Sequence, residues 1–239
     1  MHFETLEVRR LCSVTVSQGY PGFYEIYGDE GDNEISITVS MDDETFSLDG
    51  QTYDGLQQLT VYGLGGNDMI MVSAGRAAYI SAVIDGGDGD DQLALNFDGA
   101  VRGGDGSDRI YLSDAFRGEA YGGSSDDYVW INGNNVDAYI DGGDGDDYID
   151  ASSNNFRVFI HGGEGSDTLI GSEYDDQIFG DGGNNVIYGM GGNDEIFVRN
   201  GSYDCIDGGG GTDVCYCDGY QDLDHLADSV SGFEYVFYG

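Results

Sequence analysis

Apolar residues in the middle of the chain recur in short alternating runs, and each run begins two residues after an aspartate. Such period-two patterns predict short strands with one face turned inward. Further apolar residues between these runs predict return strands on the opposite side. The inward positions are expected to be Leu93, Leu95, Ile110, Leu112, Val129, Ile131, Ile149 and Ala151 in the first set, and Ile84, Val101, Ala120, Ile140 and Ile160 in the second. Together they predict an all-β protein with one continuous apolar ladder.

A glycine-rich phrase, GGxGxD, precedes each run of the first set. It is complete at Gly86, Gly103, Gly142, Gly162 and Gly208, and looser at Gly63, Gly122, Gly171, Gly180, Gly189 and, most degraded, Gly28. Glycine supplies the positive backbone torsions that a tight turn needs. From Gly63 onward the phrases follow one another at 23, 17, 19, 20, 20, 9, 9, 9 and 19 residues. The phrase is therefore an internal repeat, which indicates a solenoid.

Two nine-residue steps make one coil, because each phrase supplies one turn and one strand. This count predicts a "long edge" of the solenoid, with loops at Gly63, Gly86, Gly103, Gly122, Gly142, Gly162 and Gly180. It also predicts a "second edge", with loops at Gly171, Gly189 and Gly208. Further towards the N-terminus the second edge is expected to have ordinary turns at 132–135 and 152–155.

The glycine phrase also divides the chain. We predict a leader-like segment over residues 1–24, an N-terminal β cap with a degraded first repeat over 25–62, the roll itself over 63–217 and a C-terminal cap over 218–239. Residues 35–61 alternate as strands do, with turns at 41–44 and 49–50. Caps that depart from the repeat are typical of solenoids.

Charge narrows the possible partners. The chain has 46 acidic and 8 basic residues and a formal net charge of −38. Such a chain repels itself and needs cations to fold, and it also repels nucleic acid and anionic membranes. No apolar run approaches the roughly 20 residues of a membrane helix.

The phrase resembles the RTX calcium-binding repeat, GGxGxDxUx with a large apolar residue at U, whose fold is a right-handed parallel β-roll or β-helix. By this resemblance each calcium ion lies between two stacked loops and takes carbonyl oxygens and the sixth-position carboxylates from both. Calcium binds six to eight such oxygens. The mapped aspartates are Asp68, Asp91, Asp108, Asp127, Asp147, Asp167, Asp176, Asp194 and Asp213. The mapped glycines are Gly63, Gly65, Gly86, Gly87, Gly89, Gly103, Gly104, Gly106, Gly122, Gly142, Gly143, Gly145, Gly162, Gly163, Gly165, Gly189, Gly191, Gly208 and Gly209.

The stacked loops leave room for about six to eight Ca²⁺ ions. Two departures from the phrase predict weaker sites: Asn185 offers a neutral oxygen in place of a carboxylate, and Ser125 occupies a glycine position. A single aspartate in a glycine turn is more often a solvated Asx turn, but the whole set at coil spacing favours calcium. The DxDxDG loop of an EF-hand is absent from the sequence.

The N-terminal segment from Phe3 to Ser13 resembles a leader found on many extracellular bacterial proteins, and RTX proteins in general are exported. Both resemblances predict a secreted, extracellular or cell-surface protein. Extracellular calcium modules have dissociation constants of roughly 0.1 to 1 mM. The chain is therefore expected to fold only after export.

Three further features leave alternatives open. Cys12, Cys205, Cys215 and Cys217 allow three disulfide pairings, and Cys215 and Cys217 are expected to face the core either as thiols or with a disulfide to Cys205.

Outward residues are expected to stack on one flat face that stiffens the sheet or binds sugar or protein. They are Arg109, Tyr111, Tyr128, Trp130, Tyr148, Tyr188 and Phe197. The histidines His2, His161 and His225 form no visible triad.

The sequence therefore predicts a secreted, calcium-folded β-roll without enzymatic activity, acting as a structural or adhesive module at the cell surface or in its matrix. The alternatives are a carbohydrate- or ice-binding surface protein, or a β-helical enzyme that modifies polysaccharides, such as a lyase or epimerase. No catalytic residue is assigned.

Overall fold

A computed structural model of the chain describes residues 14–40, 44–75, 80–135, 137–218 and 229–238, and within these ranges the secondary structure is entirely β. The strands of the first half are β1 (Thr15–Tyr20), β2 (Phe23–Tyr27), β3 (Glu34–Ser40), β4 (Thr45–Leu48), β5 (Gln51–Asp54), β6 (Gln58–Gly65), β7 (Met69–Ala74), β8 (Ser81–Asp88), β9 (Gln92–Leu95), β10 (Gly99–Asp105), β11 (Arg109–Ser113) and β12 (Gly118–Ser124). Those of the second half are β13 (Tyr128–Gly133), β14 (Ala138–Asp144), β15 (Tyr148–Asn154), β16 (Val158–Glu164), β17 (Thr168–Ile170), β18 (Gln177–Phe179), β19 (Val186–Tyr188), β20 (Glu195–Val198), β21 (Cys205–Asp207), β22 (Val214–Cys217), β23 (Ser229–Ser231) and β24 (Tyr235–Tyr238).

The strands form two twelve-stranded sheets that share one core. The first sheet has the order β1-β2-β6-β8-β10-β12-β14-β16-β18-β20-β22-β24, and the second has β23-β21-β19-β17-β15-β13-β11-β9-β7-β3-β4-β5. From β6 onward the chain passes to the other sheet at every turn, so strands two apart in sequence pair in parallel. The predicted parallel β-roll is confirmed.

The core is the predicted apolar ladder. In the first sheet Ile84 pairs with Val101, which pairs with Ala120, and the row continues through Ile140 and Ile160. In the second sheet the corresponding row contains Leu93, Ile110, Val129, Ile149 and Leu169. All of these side chains are fully buried. The alternation in strands such as β11, whose residues are alternately outward and buried, is the reason that the sequence pattern identified them.

The first coils depart from the parallel rule. β1 pairs antiparallel with β2, and β3, β4 and β5 form an antiparallel extension of the second sheet. The predicted turn at residues 49–50 is present, with both Asp49 and Gly50 at positive φ. The pairing of β2 with β6 in the first sheet is already parallel, so strand direction does not mark where the cap ends and the roll begins. The predicted boundary between residues 62 and 63 stays a prediction. The leader-like Phe3–Ser13 segment, the turn residues 41–43, and His2, Cys12 and His225 lie outside the described residues.

The two-edge arrangement follows from the strand order. The loops at Gly63, Gly86, Gly103, Gly122, Gly142, Gly162 and Gly180 each lead from the first sheet to the second, and so they stack on the long edge. The loop at Gly28, between β2 and β3, precedes them on the same edge. The loops at Gly171, Gly189 and Gly208 lead back to the first sheet and form the second edge.

Candidate metal centre

The long-edge turns need glycine at three places for two physical reasons. In the loop that begins at Gly86, the second and fourth positions, Gly87 and Gly89, have φ of +107° and +129°. At the first position a Cβ on Gly86 would collide with Asp91 Oδ2 and with the carbonyl oxygen of Gly103 in the next coil. The first glycine therefore keeps open a space that oxygens from two successive coils surround.

The sixth-position aspartates form a ladder along the long edge. The backbone N–H of each donates to the Oδ1 of its counterpart in the next coil, so that Asp91 donates to Asp108 at 2.8 Å and Asp108 donates to Asp127 at 2.8 Å. The ladder runs through Asn33, Asp68, Asp91, Asp108, Asp127, Asp147, Asp167, Asn185 and Asp204, with N···O distances of 2.7 to 2.9 Å. One carboxylate oxygen thus ties each coil to the previous one.

The other carboxylate oxygen, Oδ2, lies buried without a hydrogen-bond partner in eight of the aspartates mapped from the sequence. They are Asp68, Asp91, Asp108, Asp127, Asp147 and Asp167 on the long edge and Asp194 and Asp213 on the second edge. A buried polar atom without a partner destabilises a fold by about 1 to 3 kcal/mol, and more if it is charged. A set of eight at one repeat position is an arrangement that fits the binding of a cation.

The pKa values of these carboxyl groups reflect the same burial. Desolvation raises the pKa of Asp91 to about 6, of Asp108 to about 7 and of Asp127 to about 8. On the second edge it raises the pKa of Asp194 to about 8. The hydrogen bond from the preceding coil opposes the shift, whereas neighbouring carboxylates add to it. A cation between the coils would remove this penalty.

The oxygens present fit calcium. Each orphaned Oδ2 on the long edge shares its space with the carbonyl oxygen of the first glycine in the next coil. No three His, Cys, Asp or Glu side chains gather at one point among the residues that the structure describes. A site here would therefore take most of its ligands from backbone carbonyls, which hard cations such as Ca²⁺ accept.

The second edge repeats the arrangement with one difference. Asp176 N–H donates to Asp194 Oδ1 at 2.8 Å, and Asp194 N–H donates to Asp213 Oδ1 at 2.9 Å. Asp176 is held by Ser172, whose N–H donates to Oδ2 at 2.6 Å and whose hydroxyl lies 2.9 Å from Oδ1. Of the nine aspartates mapped from the sequence, Asp176 alone has both carboxylate oxygens hydrogen-bonded in the structure.

The sequence analysis did not identify three residues of this arrangement, which are Asp204, Glu234 and Gly232. Asp204 is buried on the long edge and accepts the N–H of Asn185 at 2.7 Å. On the second edge Glu234 Oε2 accepts the N–H of Asp213 at 2.8 Å, and the Gly232 carbonyl lies where the next glycine phrase would place one. Their loops lack the glycine phrase. The sequence signal that could have identified Asp204 and Glu234 was their spacing. Asp204 follows Asn185 by 19 residues, and Glu234 follows Asp213 by 21.

Several turn positions carry a side chain where the repeat has glycine. Ser125 has φ of +80°, which confirms that it stands at a position suited to glycine. The sequence analysis missed the same situation at the second loop position, where Leu64, Asp181 and Met190 have φ of +84°, +53° and +77°. These turns keep the shape of the repeat at the expense of local backbone strain.

The aromatic residues do not share one flat face, which corrects the sequence prediction. Tyr111, Tyr128, Trp130, Tyr148 and Tyr188 lie on the outer side of the second sheet, whereas Phe197 belongs to β20 in the first sheet. Nine residues separate Tyr188 from Phe197, which is half a coil. Phe197 therefore lies in the opposite sheet.

The first sheet carries an "aromatic column" of His161, Phe179, Phe197, Tyr216 and Phe237 in five successive coils. Neighbouring rings lie 4.5 to 5.3 Å apart with interplanar angles of 2° to 17°. Each ring therefore covers the face of the next and turns its edge to solvent. His161 Nδ1 also lies 2.9 Å from Asp181 Oδ2, so this histidine has a structural role.

The cysteines follow the sequence prediction in part. Cys215 and Cys217 are fully buried in the core on β22, as predicted, and Cys205 is exposed at the start of β21 in the other sheet. The part of the chain that the structure describes contains no helix able to span a membrane.

Comparison with known proteins agrees with the geometry. Residues 130–155 and 161–196 match the family described as the RTX calcium-binding nonapeptide repeat, in four copies. These residues cover strands and loops from β13 to β20. No similar protein was found among the curated proteins.

Proposed function

Because the chain carries RTX calcium-binding repeats wound into a parallel β-roll, we propose that it is a secreted protein that folds on binding Ca²⁺. We propose further that the folded roll serves as a structural or adhesive module at the cell surface or in the surrounding matrix. RTX repeats bind calcium, and the proteins that contain them are typically secreted and structural. The orphaned carboxylate oxygens are the observation that carries the proposal.

The proposed calcium ligands are the carboxylates and loop carbonyls mapped from the repeat. On the long edge we assign the carboxylates from Asp68 to Asp167, and on the second edge Asp194 and Asp213, with Asp176 as a weaker ligand because Ser172 already satisfies it. The loop glycines supply carbonyls. About six to eight ions would neutralise the buried carboxylates and a part of the net charge of −38.

Calcium concentration then explains where folding takes place. Dissociation constants of roughly 0.1 to 1 mM, typical of extracellular modules, leave such sites empty at cytosolic calcium. Outside the cell, a tenfold excess of calcium over its dissociation constant stabilises the fold by about 1.4 kcal/mol per site. Several coupled sites would supply most of the stability, so export in the unfolded state and folding outside follow from one property.

The ring geometry bears on which surface would bind a partner. Sugar rings stack on exposed aromatic faces, but in the aromatic column each face is covered by the next ring. The second sheet offers a different surface, in which Tyr111 and Trp130 meet edge to face at 5.8 Å while Tyr128 stacks on Tyr148 at 5.0 Å. If the roll is adhesive, we assign carbohydrate or protein contact to this second surface.

A calcium titration tests the proposal. The purified chain is first stripped of metal with a chelator, and its far-UV circular dichroism is followed as Ca²⁺ or, in a parallel sample, Mg²⁺ is added. We expect a cooperative coil-to-strand transition near millimolar Ca²⁺ and none with Mg²⁺. Strand content that does not change on chelation would overturn the proposed role of calcium in folding.

A further inference from the structure

We propose that Asn185 replaces a calcium ion on the long edge, and that its side-chain amide closes this coil without metal. The inference rests on the proposed calcium-dependent fold and concerns one position where the repeat departs from aspartate. It predicts that, within the folded roll, this coil is closed by hydrogen bonds and needs no ion of its own.

Asn185 differs from its neighbours in the ladder at one side-chain atom. Asn185 Oδ1 accepts the N–H of Asp167 at 2.8 Å, as the aspartates do in the other coils. The second terminal atom of the side chain, Nδ2, differs from the Oδ2 of aspartate because it donates hydrogen bonds. Asn185 Nδ2 donates to the carbonyl oxygens of Gly180 at 2.8 Å and Gly182 at 3.0 Å. In the aspartate coils the corresponding Oδ2 is an orphan.

Nδ2 occupies the same place as those orphaned oxygens. A Cβ added at Gly180 would lie 2.9 Å from Asn185 Nδ2, just as a Cβ at the first glycine of the other long-edge loops would meet Asp Oδ2. The amide therefore directs its N–H groups at loop carbonyls of the kind that a cation would bind. Two hydrogen bonds take the place of ion coordination.

The orientation of the amide follows from its partners. The atom that faces the Asp167 N–H must be an acceptor, and the atom that faces two carbonyl oxygens must be a donor. A flipped amide would place oxygen against two oxygens and nitrogen against N–H. The hydrogen-bond network thus fixes Nδ2 inside the loop.

The same device appears elsewhere in this fold. In the first long-edge loop, Asn33 Nδ2 donates to the carbonyl oxygen of Asp29 at 3.1 Å and also to that of Gly31. On the second edge, Asn154 Nδ2 donates to the carbonyl oxygens of Phe156 at 2.7 Å and Asn135 at 3.0 Å. Both Asn33 and Asn154 are buried, as Asn185 is. Buried asparagine thus closes turns of this solenoid at three described positions where the aspartate of the repeat is absent, Asn33, Asn154 and Asn185.

An amide in place of an ion reduces the number of calcium sites expected on the long edge. The carbonyl oxygen of Gly180, which lies beside the Asp167 site, is already engaged by Asn185. Full coordination is therefore expected only between the loops from Gly63 to Gly162. Calcium sites resume on the second edge, at Asp194 and Asp213.

Reciprocal substitutions test the inference, with bound calcium per chain measured by atomic emission after equilibrium dialysis at millimolar Ca²⁺. N185D restores the carboxylate and is expected to bind one more ion than the wild type. D147N introduces the amide into an aspartate coil and is expected to bind at least one ion fewer. D147N is also expected to unfold at higher chelator concentration than variants that lose a ligand without gaining an amide, such as D147A.

The matched control is N184D, which adds the same charge one residue away. Asn184 is exposed and accepts the N–H of Tyr203 at 2.9 Å, so the calcium count of N184D should equal that of the wild type. A gain in N184D equal to that in N185D would overturn the inference, because it would reflect charge alone. An unchanged count in both N185D and D147N would overturn it as well.

The two proposals fail in different ways. If the wild-type chain binds no calcium in this measurement, the proposed function fails. If the wild type binds calcium and D147N retains the full count, only the role of the amide is refuted. D147N gives this result even if N185D does not fold.

Discussion

The backbone N–H of Asp127 donates to Oδ1 of Asp147, one coil further along the long edge, at 2.8 Å. Asp127 itself accepts the N–H of Asp108 in the same way. Each of these buried residues is thus both donor and acceptor, and in addition turns its second oxygen into the space proposed for calcium. Hydrogen bonding between coils and metal binding are therefore coupled through single side chains.

Removal of one such side chain should affect both properties. In D127A the N–H of Asp108 loses its acceptor in a buried position, which destabilises a fold by about 1 to 3 kcal/mol, and one calcium ligand disappears. We expect a lower denaturation midpoint in saturating Ca²⁺ and a higher calcium requirement for folding. Chemical denaturation at several calcium concentrations measures both.

The control for D127A is D144A. Asp144 lies in a long-edge loop but is exposed, so its removal should change the free energy of unfolding by less than about 0.5 kcal/mol. Equal losses in the two variants would mean that overall charge, rather than the buried ladder, determines the stability.

Calcium binding should depend on pH in a defined direction. Burial raises the pKa of Asp108 to about 7 and of Asp127 to about 8 in the metal-free fold, against about 3.9 in the unfolded chain. The folded state then binds more protons, so the metal-free fold loses stability as the pH rises from about 4 to 8. Calcium and protons compete, so calcium affinity should increase over the upper part of this interval.

Calorimetry can measure this competition directly. Titrations with Ca²⁺ at pH 7 in two buffers of different ionisation enthalpy should give different apparent heats, because protons are released on binding. The half-saturating calcium concentration should fall between pH 6 and pH 8. Identical heats in both buffers would contradict the assignment of these aspartates as ligands.

Glycine at the second loop position should stabilise the roll. Leu64 has φ of +84° and is 41% exposed, so its side chain strains the backbone and contributes limited packing. L64G is expected to raise the free energy of unfolding by about 1 kcal/mol, since the left-handed conformation costs about 1 to 2 kcal/mol for a residue with a Cβ. Thermal unfolding in saturating calcium measures the gain.

M71G provides the comparison for L64G. Met71 is similarly exposed, at 49%, but lies within β7 at an ordinary strand torsion. Glycine there should lower the stability by roughly 0.5 to 1 kcal/mol. A loss of stability in both variants would show that side-chain packing outweighs backbone strain at Leu64.

The aromatic column should contribute to stability without contributing to calcium binding. Phe197 stacks on Phe179 at 4.6 Å and on Tyr216 at 4.7 Å. F197A loses both contacts, each worth about 0.5 to 1.5 kcal/mol beyond the buried area. We expect a lower thermal midpoint with an unchanged number of bound ions, whereas Y188A on the opposite sheet, where Tyr188 is exposed, should have a smaller effect.

Much of this fold was readable from the sequence because the repeat couples chemistry to geometry. Aspartate, glycine and an apolar residue recur at fixed offsets, so the positions of Ile84, Leu93 and Asp91 in the core and on the edge could all be predicted. The same periodicity assigned the loops to two edges. Once glycine supplies the turn, the register of the next strand follows.

The features that the sequence did not predict lie in coils whose loops have an incomplete glycine phrase or none. Asp204 and Glu234 are brought into the two ladders by the register of neighbouring coils rather than by local turn residues. Ser172 hydrogen-bonds the carboxylate of Asp176, a contact within one loop that no repeat spacing encodes. Phe197 was placed on the wrong face because half a coil changes the sheet to which a residue belongs.

The ladder of buried aspartates also gives the solenoid a direction. At the ladder positions that the structure describes, the buried N–H finds its acceptor in the following coil and not in the preceding one. Loss of a C-terminal coil would expose to water a backbone N–H that has lost its carboxylate acceptor, whereas loss of an N-terminal coil would expose a carboxylate oxygen. The two ends of the roll are thus chemically unequal: the C-terminal end presents backbone donors, and the N-terminal end presents carboxylate acceptors.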